Sequence, residues 1–153
     1  MKKLERLLKE IDLNIPQFER KDLKISNASI GWQLEHVMLV MNSIIKAIEV
    51  SEPADYNYKW KLNRSIVMTM RNIPRGKARA PERVQPREEF TETSLKMHLA
   101  KTRENVGKLI YMSNNQFFPH PSLGHMRLKT TIKFLAIHTK HHLKIVDDIL
   151  KSH

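Results

Sequence analysis

From Ile30 to Val50 the apolar residues Ile30, Leu34, Val37, Met41, Ile44 and Ile48 recur at alternating intervals of four and three. A strand would scatter that pattern over both faces, because its side chains alternate every second residue. An α-helix gathers all six into one stripe. A second run behaves the same way near the C-terminus. Leu128, Thr131, Leu135, His138, His142, Ile145 and Ile149 mark one seam of a helix from about Met126 to Leu150. Such stripes must be covered by other helices, so the chain is expected to fold as a helical bundle, with Val37, Ile44, Leu135 and Ile149 buried between helices.

The rest of the chain fits around these two helices. It has only four glycines in 153 residues, which favours few turns and long elements. Leu4, Leu7, Leu8 and Ile11 mark a short amphipathic N-terminal helix. The stretch from Asn14 to Asn27, with Pro16, reads as a connection, and Ser29 or Asn27 can cap the helix that follows. Tyr56 to Asn72 is predicted as a third helix, with Trp60, Ile66, Val67 and Met70 turned inward. Ile73 to Arg87 contains three prolines and one glycine and must be a loop, longer than most connections in bundles. Thr91 or Thr93 opens a fourth helix to about Ser113, with Leu95, Leu99, Val106, Leu109 and Ile110 as its apolar positions. Asn114 to Gly124 breaks the helical pattern. The expectation is an all-α, almost strand-free single domain over residues 1–153: four longer helices and a short extra N-terminal one.

Composition narrows the chemistry. Cysteine is absent, which excludes disulfides, thiolate nucleophiles and cysteine-based zinc sites and agrees with a reducing cytoplasm. The N-terminal run has no continuous apolar core, so it is not a signal peptide. No stretch approaches the ~18 apolar residues needed to span a bilayer, and no membrane partner is expected. The net charge of +11, from 27 basic and 16 acidic residues, favours an anionic partner. Arg75, Lys77, Arg79, Arg83 and Arg87 crowd the long loop, where they are solvated or, as an alternative, form an anion-recognition flap through Arg75, Lys77 and Arg79. Nucleic acid is disfavoured as a partner, because that loop lacks interleaved aromatics and the chain shows no DNA-reading motif.

Two histidines on one helical seam at i, i+4 are harder to explain. His138 and His142 leave the same side of the last helix one turn apart, where leucine would be expected. Burying both rings in an apolar layer leaves several nitrogens to satisfy, at roughly 1–3 kcal/mol for each one unpaired. A shared metal removes two of those deficits. His36, flanking the stripe of the second helix, supplies a third nitrogen. Three neutral imidazoles suit zinc or nickel and leave a position for water or substrate. Around them, His141, His120 and His125 are candidates for contacts behind the ligands or with substrate, and Glu35 is a weak candidate for a general base. His98 and His153 have no helical partner and are expected to bond at the surface.

The run Gly31-Trp32-Gln33-Leu34-Glu35-His36, the late His138-Thr139-Lys140-His141-His142 and the loop Phe118-Pro119-His120-Pro121-Ser122-Leu123-Gly124 together resemble the DinB-like metal-binding four-helix family. The similarity is greatest to a branch described as a domain of unknown function. The resemblance implies an up-down-down-up four-helix bundle, often a homodimer, with nickel or zinc held by one histidine from an early helix and two from a late one. Those positions are His36, His138 and His142 here. One departure is Ile145, where many relatives carry a glutamine three residues after the second histidine of the pair, so a polar contact is expected to be missing. The resulting expectation is a cytoplasmic metal-dependent hydrolase or transferase acting on a small molecule, for which the charge favours an anion. The rival is a non-catalytic helical binding module with structural histidines and a basic surface.

Overall fold

The computed structural model describes residues 1–74, 81–86 and 89–152. Among them the elements run α1 (Lys2–Asn14), α2 (Ile30–Glu49), α3 (Leu62–Met70), α4 (Glu92–Lys108), β1 (Phe117–His120), β2 (Gly124–Arg127) and α5 (Leu128–Lys151). Ser29 caps α2 by accepting a hydrogen bond from the backbone N–H of Trp32. Thr91 and Ser94 cap α4 reciprocally, each hydroxyl accepting from the other's backbone N–H.

α2 packs against α4 and α5, and α1 packs against the same two, so four helices close around one core. Val37, Ile44, Leu135 and Ile149 lie in it, as their spacing requires. This packing is compatible with a four-helix bundle but changes its membership. α1, expected as an extra helix, joins the core through Leu4, Leu7, Leu8 and Ile11, none more than 2% exposed. α3 is the peripheral helix.

Three further expectations are corrected. The fold is mostly helical rather than all-α, because part of the 114–124 break and the residues after it pair as an antiparallel hairpin, Phe118 opposite Met126 and His120 opposite Gly124. Phe118 and Met126 both bury, and Gly124, at φ 73°, takes the left-handed conformation that closes the turn. The third helix is also shorter than predicted, and Trp60, Ile66 and Met70 are exposed. Its inward side is taken by Arg64, whose guanidinium donates to the carbonyls of His125 and Lys59 and so turns the apolar row outward. Finally, α4 ends at Lys108 in a tight turn that leaves Ile110 60% exposed.

Candidate metal centre

The seams of α2 and α5 meet where the three rings converge. One nitrogen from each of His36, His138 and His142 lies within 4.8 Å of the other two. The ring centroids are 5.2 Å apart for His36 and His138, 4.7 Å for His36 and His142, and 4.6 Å for His138 and His142. His36 and His142 are buried, at 4% and 8% exposure, and His138 is partly exposed. Trp32, one turn before His36, stacks on its ring at 5.1 Å and 15°.

Hydrogen bonds fix which nitrogens face the centre. His36 donates from Nδ1 to the Val84 carbonyl at 2.7 Å, and His142 donates from Nδ1 to Gln33 Oε1 at 2.6 Å. An imidazole that donates from Nδ1 and is neutral carries its lone pair on Nε2. Both rings are therefore set by partners behind them to offer Nε2 to a metal, the arrangement found in characterised metal sites. Gln33 is itself oriented, its amide donating to Ser26 Oγ at 3.2 Å. The His138 ring has no hydrogen-bond partner among the described residues. No buried side-chain nitrogen or oxygen among the described residues lacks a partner.

The rings are also held neutral. Burial lowers the pKa of His36 against an opposing hydrogen bond to Val84. Burial, then the neighbouring His36, His141 and His120, bring His138 down to about 3. His142 is lowered by burial and then by His138, His36 and His141. Neutral imidazole is the form that binds metal, so proton competition starts below the ordinary histidine range near 6.5 expected from the sequence alone.

Such a donor set fits a divalent cation. Three points no more than 4.8 Å apart share a centre within about 2.8 Å of each (4.8 Å divided by √3). Shifts of under ~1 Å per ring reach the ~2.0–2.1 Å of a zinc–nitrogen bond. Among the described residues no carboxylate joins the group, so three protein nitrogens would hold the ion and leave further positions to solvent or substrate.

The other sequence candidates fall in different places. Glu35 turns away from the triad to α4, where both its oxygens accept from His98 Nδ1 at 2.9 Å, so it is not poised as a base at the metal centre. His98, expected to be a surface residue, instead joins an interhelical network, with its Nε2 2.8 Å from Asn42 Nδ2. His141 packs edge-on to the His142 ring at 5.0 Å. His120 closes the hairpin turn, its Nδ1 accepting from the backbone N–H groups of Ser122 and Leu123, and burial brings its pKa down to about 4. The Phe134 ring lies against both His120 and His138. His125 faces the other way, stacked on Phe117 and accepting from the Asn57 N–H. Arg75, Lys77, Arg79, Arg87 and His153 lie outside the described residues. The described part of their loop, residues 81–86, reaches the site through the Val84 carbonyl, and Arg83 in it is exposed.

Sequence reasoning missed Gln33. It sits three residues before His36, on the same side of the helix as the Ile30–Leu34–Val37 stripe, and that position was the available signal. Position 145 carries no polar group; the polar partner of His142 is Gln33 on α2. Comparison of the chain with family models, with curated proteins and with solved structures gives no match.

Proposed function

We propose that the protein is a metal-dependent hydrolase or transferase of the DinB-like, up-down-down-up bundle type, acting on a small anionic molecule. The observation that carries this reading is the convergence of three neutral imidazoles, two of them locked as Nε2 ligands by Val84 and Gln33. A divalent metal held there supplies a Lewis acid and lowers the pKa of bound water. The chain's own part is to hold three nitrogens in one place, keep them unprotonated by burial, and exclude bulk water on one side with Trp32 and Phe134. His138, the partly exposed member, marks the side from which a substrate approaches. Zinc or nickel suits nitrogen-only ligation. The net charge of +11 supports an anionic substrate.

An open site differs from a structural one by its exchangeable position. Cobalt(II) loaded into tag-free protein reports this in its visible spectrum. Added azide or phosphate is expected to change that spectrum in the wild type, and His138→Ala is expected to lose the cobalt. A cobalt spectrum indifferent to every small anion would favour the rival reading, a binding module with a closed metal or purely structural histidines.

A further inference from the structure

The segment from Tyr56 to Pro74 contributes little to the core and nothing to the triad, yet it is strongly patterned. Leu62, Ile66 and Met70 stand four residues apart on α3 and are 58%, 41% and 69% exposed. Spaced that way they form one row, about 12 Å long, on a single helix face. Trp60 and Tyr58 precede the row and are 64% and 60% exposed. Scattered apolar residues are ordinary on a protein surface, but three on one helix face, directly after an exposed tryptophan, mark a candidate interaction site.

The charge along this stretch of the chain has one sign. No Asp or Glu occurs between Asp55 and Glu82, while Lys59, Lys61, Arg64 and Arg71 fall on and beside α3. Lys59, Lys61 and Arg71 are exposed. The face is also braced. Buried Arg64 donates to the His125 and Lys59 carbonyls, each at 3.1 Å, and its guanidinium lies 4.6 Å from the Tyr58 ring. One side chain therefore ties the turn that presents Trp60 to the hairpin, and forces the apolar row outward.

We propose that this face docks on an anionic lipid bilayer, lying in the interface with Trp60, Leu62, Ile66 and Met70 at the acyl boundary and Lys59, Lys61 and Arg71 among the phosphates. Tryptophan and tyrosine settle at that boundary, aliphatic residues enter below it, and long basic side chains reach up to the headgroups. Single-stranded nucleic acid would use the aromatics and the charge but leave the aliphatic row without a partner. A second copy on the same face would set like charges against each other. No helix of the described residues is long and apolar enough to cross a membrane. Lying on one is a different matter.

The test is co-sedimentation of the tag-free full chain with phosphatidylcholine vesicles, with and without roughly one-third phosphatidylglycerol, alongside a fluorescent oligothymidylate. Binding to the anionic vesicles alone, weakened by salt, is expected. It should come with a blue shift of tryptophan emission that Trp60→Phe removes and that does not depend on half-buried Trp32. Ile66→Glu with Met70→Glu should lower partitioning at least ~10-fold, and Lys59→Gln with Lys61→Gln roughly 30-fold, with helix content and metal binding unchanged. The proposal is overturned if the wild type ignores anionic vesicles or if these variants partition equally well. It is equally overturned if the patch variants lose oligothymidylate binding or self-association in a protein that never binds lipid.

Discussion

Gln33 offers a test of how the metal centre is built, because it touches a ligand without being one. Gln33→Met keeps the length and burial of the side chain and removes the acceptor for His142 Nδ1–H. Two costs follow from the structure. The apoprotein leaves a buried N–H unpaired, at about 1–3 kcal/mol, since His142 is only 8% exposed. His142 is also released to protonate on Nε2, so metal affinity is expected to drop by roughly 10- to 100-fold. With metal at ~1,000 times the wild-type Kd, bound metal stabilises the wild type by about 4.1 kcal/mol; a ~100-fold weaker variant gains about 1.4 kcal/mol. For a chain of this size the metal-induced rise in Tm should shrink from roughly 8–16 °C to roughly 3–6 °C. Isothermal titration and thermal melts with and without zinc or nickel measure both quantities. Gln33→Glu, which restores an acceptor, should bind at least as tightly as wild type. Equal affinity in Gln33→Met and wild type would refute the reasoning that an outer partner selects the ligating nitrogen.

Other perturbations probe different links. Leu135→Ala removes a side chain with 0% exposure from the α5 seam and should cost about 2–5 kcal/mol in urea denaturation; a loss below ~1 kcal/mol would argue against the seam. Gly31→Ala drives a methyl into the Phe90 ring and to 3.0 Å from the Phe18 carbonyl oxygen. It should destabilise by about 1–3 kcal/mol, and Phe90→Ala in the same chain should recover part of that loss. Because His36, His138 and His142 all have lowered pKa values, the unfolded chain binds more protons than the folded one just below pH 6.5. Stability of the apoprotein should therefore be full above about pH 6.5 and decline as pH falls toward about 3, where folded His138 itself takes up a proton. The triple alanine variant should show a flatter profile, and a slope identical to wild type would contradict the assignment.

What the sequence disclosed, and what it hid, follows from how local each signal is. α2 and α5 are long, and an apolar spacing of three and four repeated over five or more turns admits no other element. The i, i+4 histidines stand out because they occupy seam positions in such a run. Leu62, Ile66 and Met70 show the same spacing, yet their row faces outward, because periodicity marks a face without saying what covers it. Arg64, buried through contacts with His125 and Lys59, decides the rotation, and those contacts are invisible in local sequence. The hairpin was masked by Pro119 and Pro121, which read as breakers. Its stability depends on Phe118 and Met126 burying together against distant helices. Val84 reaches His36 from 48 residues away, and a backbone carbonyl leaves no side-chain signature at all.

The most direct test of the metal centre is titration of tag-free apoprotein with zinc and with nickel at neutral pH, read by calorimetry and by metal content after gel filtration. One equivalent per chain is expected for the wild type and for His98→Ala, and none for His138→Ala, His142→Ala or the triple variant with His36→Ala. If neither metal binds above non-specific levels, or the triple variant binds as the wild type does, the three imidazoles converge for some reason other than holding a metal.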